Sequence, residues 1–265
     1  SGVVKLSILC NETLEKFICL CMQSSEFHEY ISNKYEQPSF FFIAGVYLKR
    51  ALLCAQKLIE RSPEKETVLQ NEYLNTANGR FYALVHTYFL DAKNSFTQKE
   101  YWEAIRIIHK GLQIASLCRL PSLAKGTAEL YDLKGLCYDE KEAHRDAYES
   151  FLTGARNVTG EIDILLENLK ESISASAEQE YTQEIKNTLS EFSIKGIDLL
   201  TKAAVAALYT RYGPEKAKEQ LDKAQQLLAF VSESQQRDNC VQRIRIVSET
   251  IDAAFMRLRE KEHEE

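Results

Sequence analysis

Two quotations fix the class of this chain: YFLDAKNSFTQKEYWEAIRIIHKG over residues 88–111, and YDLKGLCYDEKEAHRDAYESFLTG over residues 131–154. In the first, Tyr88 is followed by Ala92, Ala104, Ile108 and Gly111; in the second, Tyr131 is followed by Gly135, Ala147, Phe151 and Gly154. The offsets agree: a small residue four after the aromatic, another at sixteen, a bulky apolar residue at twenty and a small one at twenty-three. Apolar residues three and four apart mark one face of a helix. Small residues at matching points on two successive helices let their backbones approach. The spacing therefore predicts paired helices that cross closely, with Tyr88, Ile108, Tyr138 and Phe151 filling the space around the crossings.

Outward from these stretches the helical reading continues. Glycine and proline together are 14 of 265 residues, about half the usual share, which argues against a turn-rich sheet protein. Leu, Ala, Glu, Lys and Gln are plentiful, and all favour helix. The expected elements are about ten helices, near 4–22, 39–61, 66–95, 99–117, 122–139, 143–157, 161–175, 179–211, 214–234 and 237–260. Ser62-Pro63-Glu64 and Gly213-Pro214-Glu215 read as helix starts, with an acid near the positive end of the dipole. Pro38 and Pro121 stand before apolar-periodic stretches. Ile162, Leu165, Leu166, Leu169 and Ile173 form a stripe at helical spacing, and Ile244, Val247, Ile251, Ala254 and Leu258 form another. A mild seam is expected at Val158-Thr159-Gly160. It divides 1–160 from 161–265, the latter continuing the repeats or forming a C-terminal bundle.

The small-residue pattern resembles the tetratricopeptide repeat. Residues 101–114 are similar to its second helix, and Leu133 to Tyr138 to its first. Fainter second helices are Ala51, Ala55, Leu58 and Pro63, with Tyr35, Ser39 and Phe42 upstream, and Ala217, Leu221 and Ala224. The chain departs from the family in period: its two good units are 43 residues apart, against 34. The resemblance implies an all-α solenoid of stacked antiparallel hairpins, and a scaffold or adaptor that binds a partner peptide or helix in a groove built from the first helices. Some members hold acidic chaperone tails with Lys, Asn and Arg at positions that here are Phe89, Lys93, Asp132, Leu133 and Leu136. Only Lys93 has suitable charge. The expectation is instead a mainly apolar groove lined by Phe89, Lys93, Leu133 and Leu136.

Composition narrows the alternatives. The formal charge is −6 with both signs interspersed, so no basic tract supports nucleic-acid binding. Seven cysteines, Cys10, Cys19, Cys21, Cys54, Cys118, Cys137 and Cys240, are odd in number and irregularly spaced. That favours buried thiols in a reducing compartment, cytoplasmic or nuclear, over a disulfide framework. Cys19 and Cys21 lie two apart on a helix and so point about 200° apart, a poor metal pair. No apolar run reaches the length of a membrane span. The histidines form no zinc or di-iron pattern, no serine sits in a nucleophile elbow, and no glycine-rich phosphate loop occurs. We expect no catalytic residue, cofactor or metal. Trp102, the single tryptophan, reads as packed. The chain starts Ser1-Gly2 without Met, and we expect one domain of a larger protein. Two further readings stay open: a helical oligomerisation or assembly domain, as a homo-oligomer or in a larger complex, and an all-helical enzyme whose site carries no motif.

Overall fold

The computed structural model describes residues 11–35, 39–63, 67, 70–117, 121–174 and 179–264. Among these residues the protein is all-helical, with nine α-helices: α1 (Asn11–Tyr35), α2 (Ser39–Arg61), α3 (Asn75–Thr97), α4 (Tyr101–Ala115), α5 (Pro121–Asp139), α6 (His144–Ser174), α7 (Gln179–Leu208), α8 (Gly213–Leu227) and α9 (Ser234–Glu264). A π-turn at Gln70–Leu74 precedes α3, and a 3-10 turn at Leu228–Phe230 follows α8. Expected residues 4–10, Cys10, Pro38, Glu64 and Cys118 lie outside the described residues.

The chain forms two compact units, one of Ser1–Asp91 with Arg106–Gly126, the other of Ala92–Ile105 with Thr127–Glu265. In the first, α1 and α2 close on a core of Leu14, Ile18 and Cys21 against Ala51, Cys54, Ala55 and Leu58. Cys21 and Cys54 are buried and Cys19 is exposed, as opposite sides of a helix require. Burial pushes the Cys21 thiol up to about 11, so it behaves as a small apolar group. Arg80 of α3 ties that helix to α1. Its guanidinium donates to the Met22 carbonyl (3.2 Å), Glu26 (2.9 Å) and Glu29 (2.5 Å). Gly45 of α2 faces Ile114, Leu117 and Phe81, and Gly126 of α5 faces Val85 of α3.

In the second unit, α6 packs on α7, α7 on α8, and α9 on both α7 and α8. Small residues sit at close contacts of this unit, Gly135 between α5 and α6 and Gly154 between α6 and both α5 and α7. Ala104 and Ala147 are fully buried. A Cβ on Gly135 would fall 2.6 and 2.7 Å from two ring atoms of Phe151, and one on Gly154 would fall 3.0 Å from Tyr131 and 3.3 Å from Leu199. Ala203, Ala204, Ala206 and Ala207 keep α7 slim, and all are buried.

Two turns repeat the same backbone device. Glu100 N–H donates to the Ser95 carbonyl and Lys99 N–H to Phe96; Ala143 N–H donates to Tyr138 and Glu142 N–H to Asp139. These are Schellman closures, with Lys99 (φ 63°) and Glu142 (φ 57°) left-handed. Gly213 (φ 67°) makes a left-handed bend as the first residue of α8, where glycine carries no steric penalty.

Several expectations need correction. The helices expected over 143–157 and 161–175 are one continuous helix, α6, and the seam at Val158-Thr159-Gly160 lies inside it. A lone glycine costs a helix about 1 kcal/mol but does not break it when flanking turns are packed. Of the element expected over 66–95, residues 70–74 form a π-turn and the helix α3 follows it. Ser62 follows α2, its N–H donating to the Leu58 carbonyl and its hydroxyl accepting from Asn11 Nδ2, while the helix start expected at Ser62-Pro63-Glu64 runs outside the described residues from Glu64 on. Trp102 is 62% exposed, not packed. Its ring meets Tyr138 edge-on at 6.4 Å and lies 6.0 Å from the Lys141 ammonium.

Candidate partner-binding groove

Alternate helices of the second unit meet through charge. Asp132 of α5 accepts from Lys195 (2.6 Å) and Lys202 (2.7 Å) of α7. Lys202 also reaches Asp198 (2.9 Å), one turn earlier on its own helix. Asp198 in turn accepts from Arg243 of α9. The chain Lys195, Asp132, Lys202, Asp198, Arg243 thus crosses three helices that are not consecutive in sequence. Burial works against the charge on Lys202, but the two carboxylates outweigh it and raise its pKa above the ordinary lysine value.

Beside this network lies a cavity of about 290 Å³ lined by Leu136, Asp139, Phe151, Asp198, Thr201, Lys202, Val205, Ala206, Arg243 and Val247. Helical periodicity explains the lining. Leu136 and Asp139 stand one turn apart on α5, and Asp198, Lys202, Val205 and Ala206 follow one side of α7. Leu136, Phe151, Val205, Ala206 and Val247 make an apolar floor. The rims differ: Asp139 on α5 has one oxygen 3.1 Å from His144 Nδ1 and is 51% exposed, while Arg243 on α9 is also 51% exposed. An apolar hollow with a few placed polar groups is the usual form of a recognition site.

Of the four groove residues expected from the sequence, Leu136 lines this cavity. Leu133, one turn earlier on α5, is buried. Phe89 is half-buried and stacks on His86 at 5.8 Å, while Lys93, one turn further along α3, is exposed. The sequence reading missed Asp139, Phe151, Lys202, Val205, Arg243 and Val247 as groove residues. The one signal available was a charge beside an apolar residue at helical spacing on 132–139, 198–205 and 243–247, and such patterns abound on solvated helices.

The second unit also carries polar groups that its packing leaves unserved. Gln220 is 1% exposed, and neither atom of its amide has a partner. The Tyr148 hydroxyl is likewise buried without one. Among the described residues, no group of three or more His, Cys, Asp or Glu is placed to hold a metal ion. No helix among them is long and apolar enough to cross a membrane. No protein-family model matches the chain, and comparison with curated proteins finds no relative.

Proposed function

We propose that this chain is a protein-interaction scaffold, built as tetratricopeptide-like stacked hairpins, that binds a partner peptide or helix in the groove formed by α5, α6, α7 and α9. The observation that carries the reading is the apolar floor of Leu136, Phe151, Val205 and Val247 between alternate helices tied by ion pairs. Contact between every second helix is what stacking of two-helix units requires, and the buried small residues at the crossings support the same plan. The test is a quantitative pull-down comparing the wild-type chain with a Leu136→Glu/Val247→Glu variant of unchanged helical circular dichroism. Partners enriched by the wild type and lost from the variant are expected. Equal capture by both would overturn the groove as the binding site.

One observation favours an assembly domain as the second reading. On α9, Val241, Ile246, Met256 and Leu258 are 46%, 57%, 65% and 44% exposed. Apolar side chains left open along one helix suit a homo-oligomer or a larger complex. Sedimentation velocity across a hundredfold concentration range separates the readings: constant mass supports the monomeric scaffold, and rising mass supports assembly.

A further inference from the structure

The two rims of the groove carry opposite charges with unused bonding capacity. Each oxygen of Asp132 and Asp198 already accepts from Lys195, Lys202 or Arg243. They are also the more covered acids, at 14% and 18% exposure. Arg243 uses one nitrogen of its five-donor fork on Asp198 and is 51% exposed. Asp139 spends one oxygen on His144 and keeps the other. Formal charges around the groove balance, Lys195, Lys202 and Arg243 against Asp132, Asp139 and Asp198. A uniformly acidic or basic partner therefore gains nothing from the site as a whole. What the geometry offers is an ordered pair of charges on either side of an apolar floor.

Building on the proposal that this groove takes a partner, we infer that the occupant is a segment of a partner protein with one bulky apolar side chain between an acidic and a basic residue. The apolar side chain seats over Leu136, Val205 and Val247, the acid meets Arg243 and the base meets Asp139. The charges fix the direction in which the segment lies, since reversing it sets acid against Asp139 and base against Arg243.

The experiment selects a displayed library of random twelve-residue peptides on the full chain. The best binders are then measured by fluorescence anisotropy against wild type, Arg243→Gln and Asp139→Asn. The expected consensus is a large apolar residue flanked by an acid on one side and a base on the other. Arg243→Gln should weaken these peptides about five- to tenfold and abolish the advantage of the acid, so that a peptide with Glu replaced by Gln binds both proteins alike. Asp139→Asn should do the same for the basic position alone. Binders indifferent to both substitutions would overturn this inference while leaving the scaffold reading in place. Enrichment of no peptide at all would overturn both.

Discussion

Adding one methyl group at Gly135 tests the helix crossing most directly. Glycine inside a helix is normally a weakness, and alanine there gains about 1 kcal/mol. At Gly135 the new Cβ would lie 2.6 and 2.7 Å from two atoms of the Phe151 ring. Carbon atoms rest at roughly 3.5–4.0 Å, so the ring would have to retreat by about 1 Å. Phe151 is only 2% exposed and has little room to do so. Overpacking of this kind costs about 1–3 kcal/mol, which exceeds the helix-propensity gain. Gly135→Ala should therefore destabilise by about 1 kcal/mol net. Gly160→Ala is the internal control, because nothing lies within 4 Å of a Cβ there. It should stabilise by about 0.5–1 kcal/mol. Equilibrium urea unfolding followed by circular dichroism measures both, with slopes checked for equality. In a Phe151→Leu background the obstruction is smaller, and Gly135→Ala should become neutral or stabilising. If Gly135→Ala stabilises the wild type as Gly160→Ala does, the close crossing of α5 and α6 is wrong.

Glu142→Gly relieves a left-handed non-glycine residue (φ 57°) and should raise stability in urea by about 0.5–1 kcal/mol after the entropy cost of glycine is subtracted, whereas a loss would contradict the turn geometry. Gln220→Leu removes a buried amide with no partner on either atom and should stabilise by about 1–2 kcal/mol in thermal or urea unfolding; destabilisation would mean that the amide is served after all. For Lys202 the folded pKa lies above the unfolded value of about 10.4. The stability it contributes is thus fully present below about pH 10 and fades as pH rises through the folded pKa. Buried tyrosines titrate in the same range, so the informative quantity is the wild-type stability minus that of Lys202→Met between pH 9 and 12. A flat difference would remove the lysine from the network.

Helix and its close crossings were legible because they rest on local rules. Ala104, Gly135, Ala147 and Gly154 recur at fixed offsets, and only a small side chain fits where two backbones approach. Pro214 marks the start of α8 for an equally local reason, its fixed φ and missing N–H. Gly160 misled by the same logic, since a glycine signals a break only if nothing else holds the helix. Trp102 misled differently. An aromatic beside an apolar stripe looks packed, but whether a neighbour covers its outer face is not written within one helix.

What the sequence alone determined is therefore the helical class and the places where helices must touch, both set by residues within a few turns of one another. The tertiary structure decided the groove. Its ion pairs join residues 63, 70 and 45 positions apart, and no short-range spacing announces which of many surface charges will meet. Single-helix periodicity gives each side chain a direction. Only the packing of α5, α6, α7 and α9 turns those directions into an apolar floor with an acid on α5 and a guanidinium on α9.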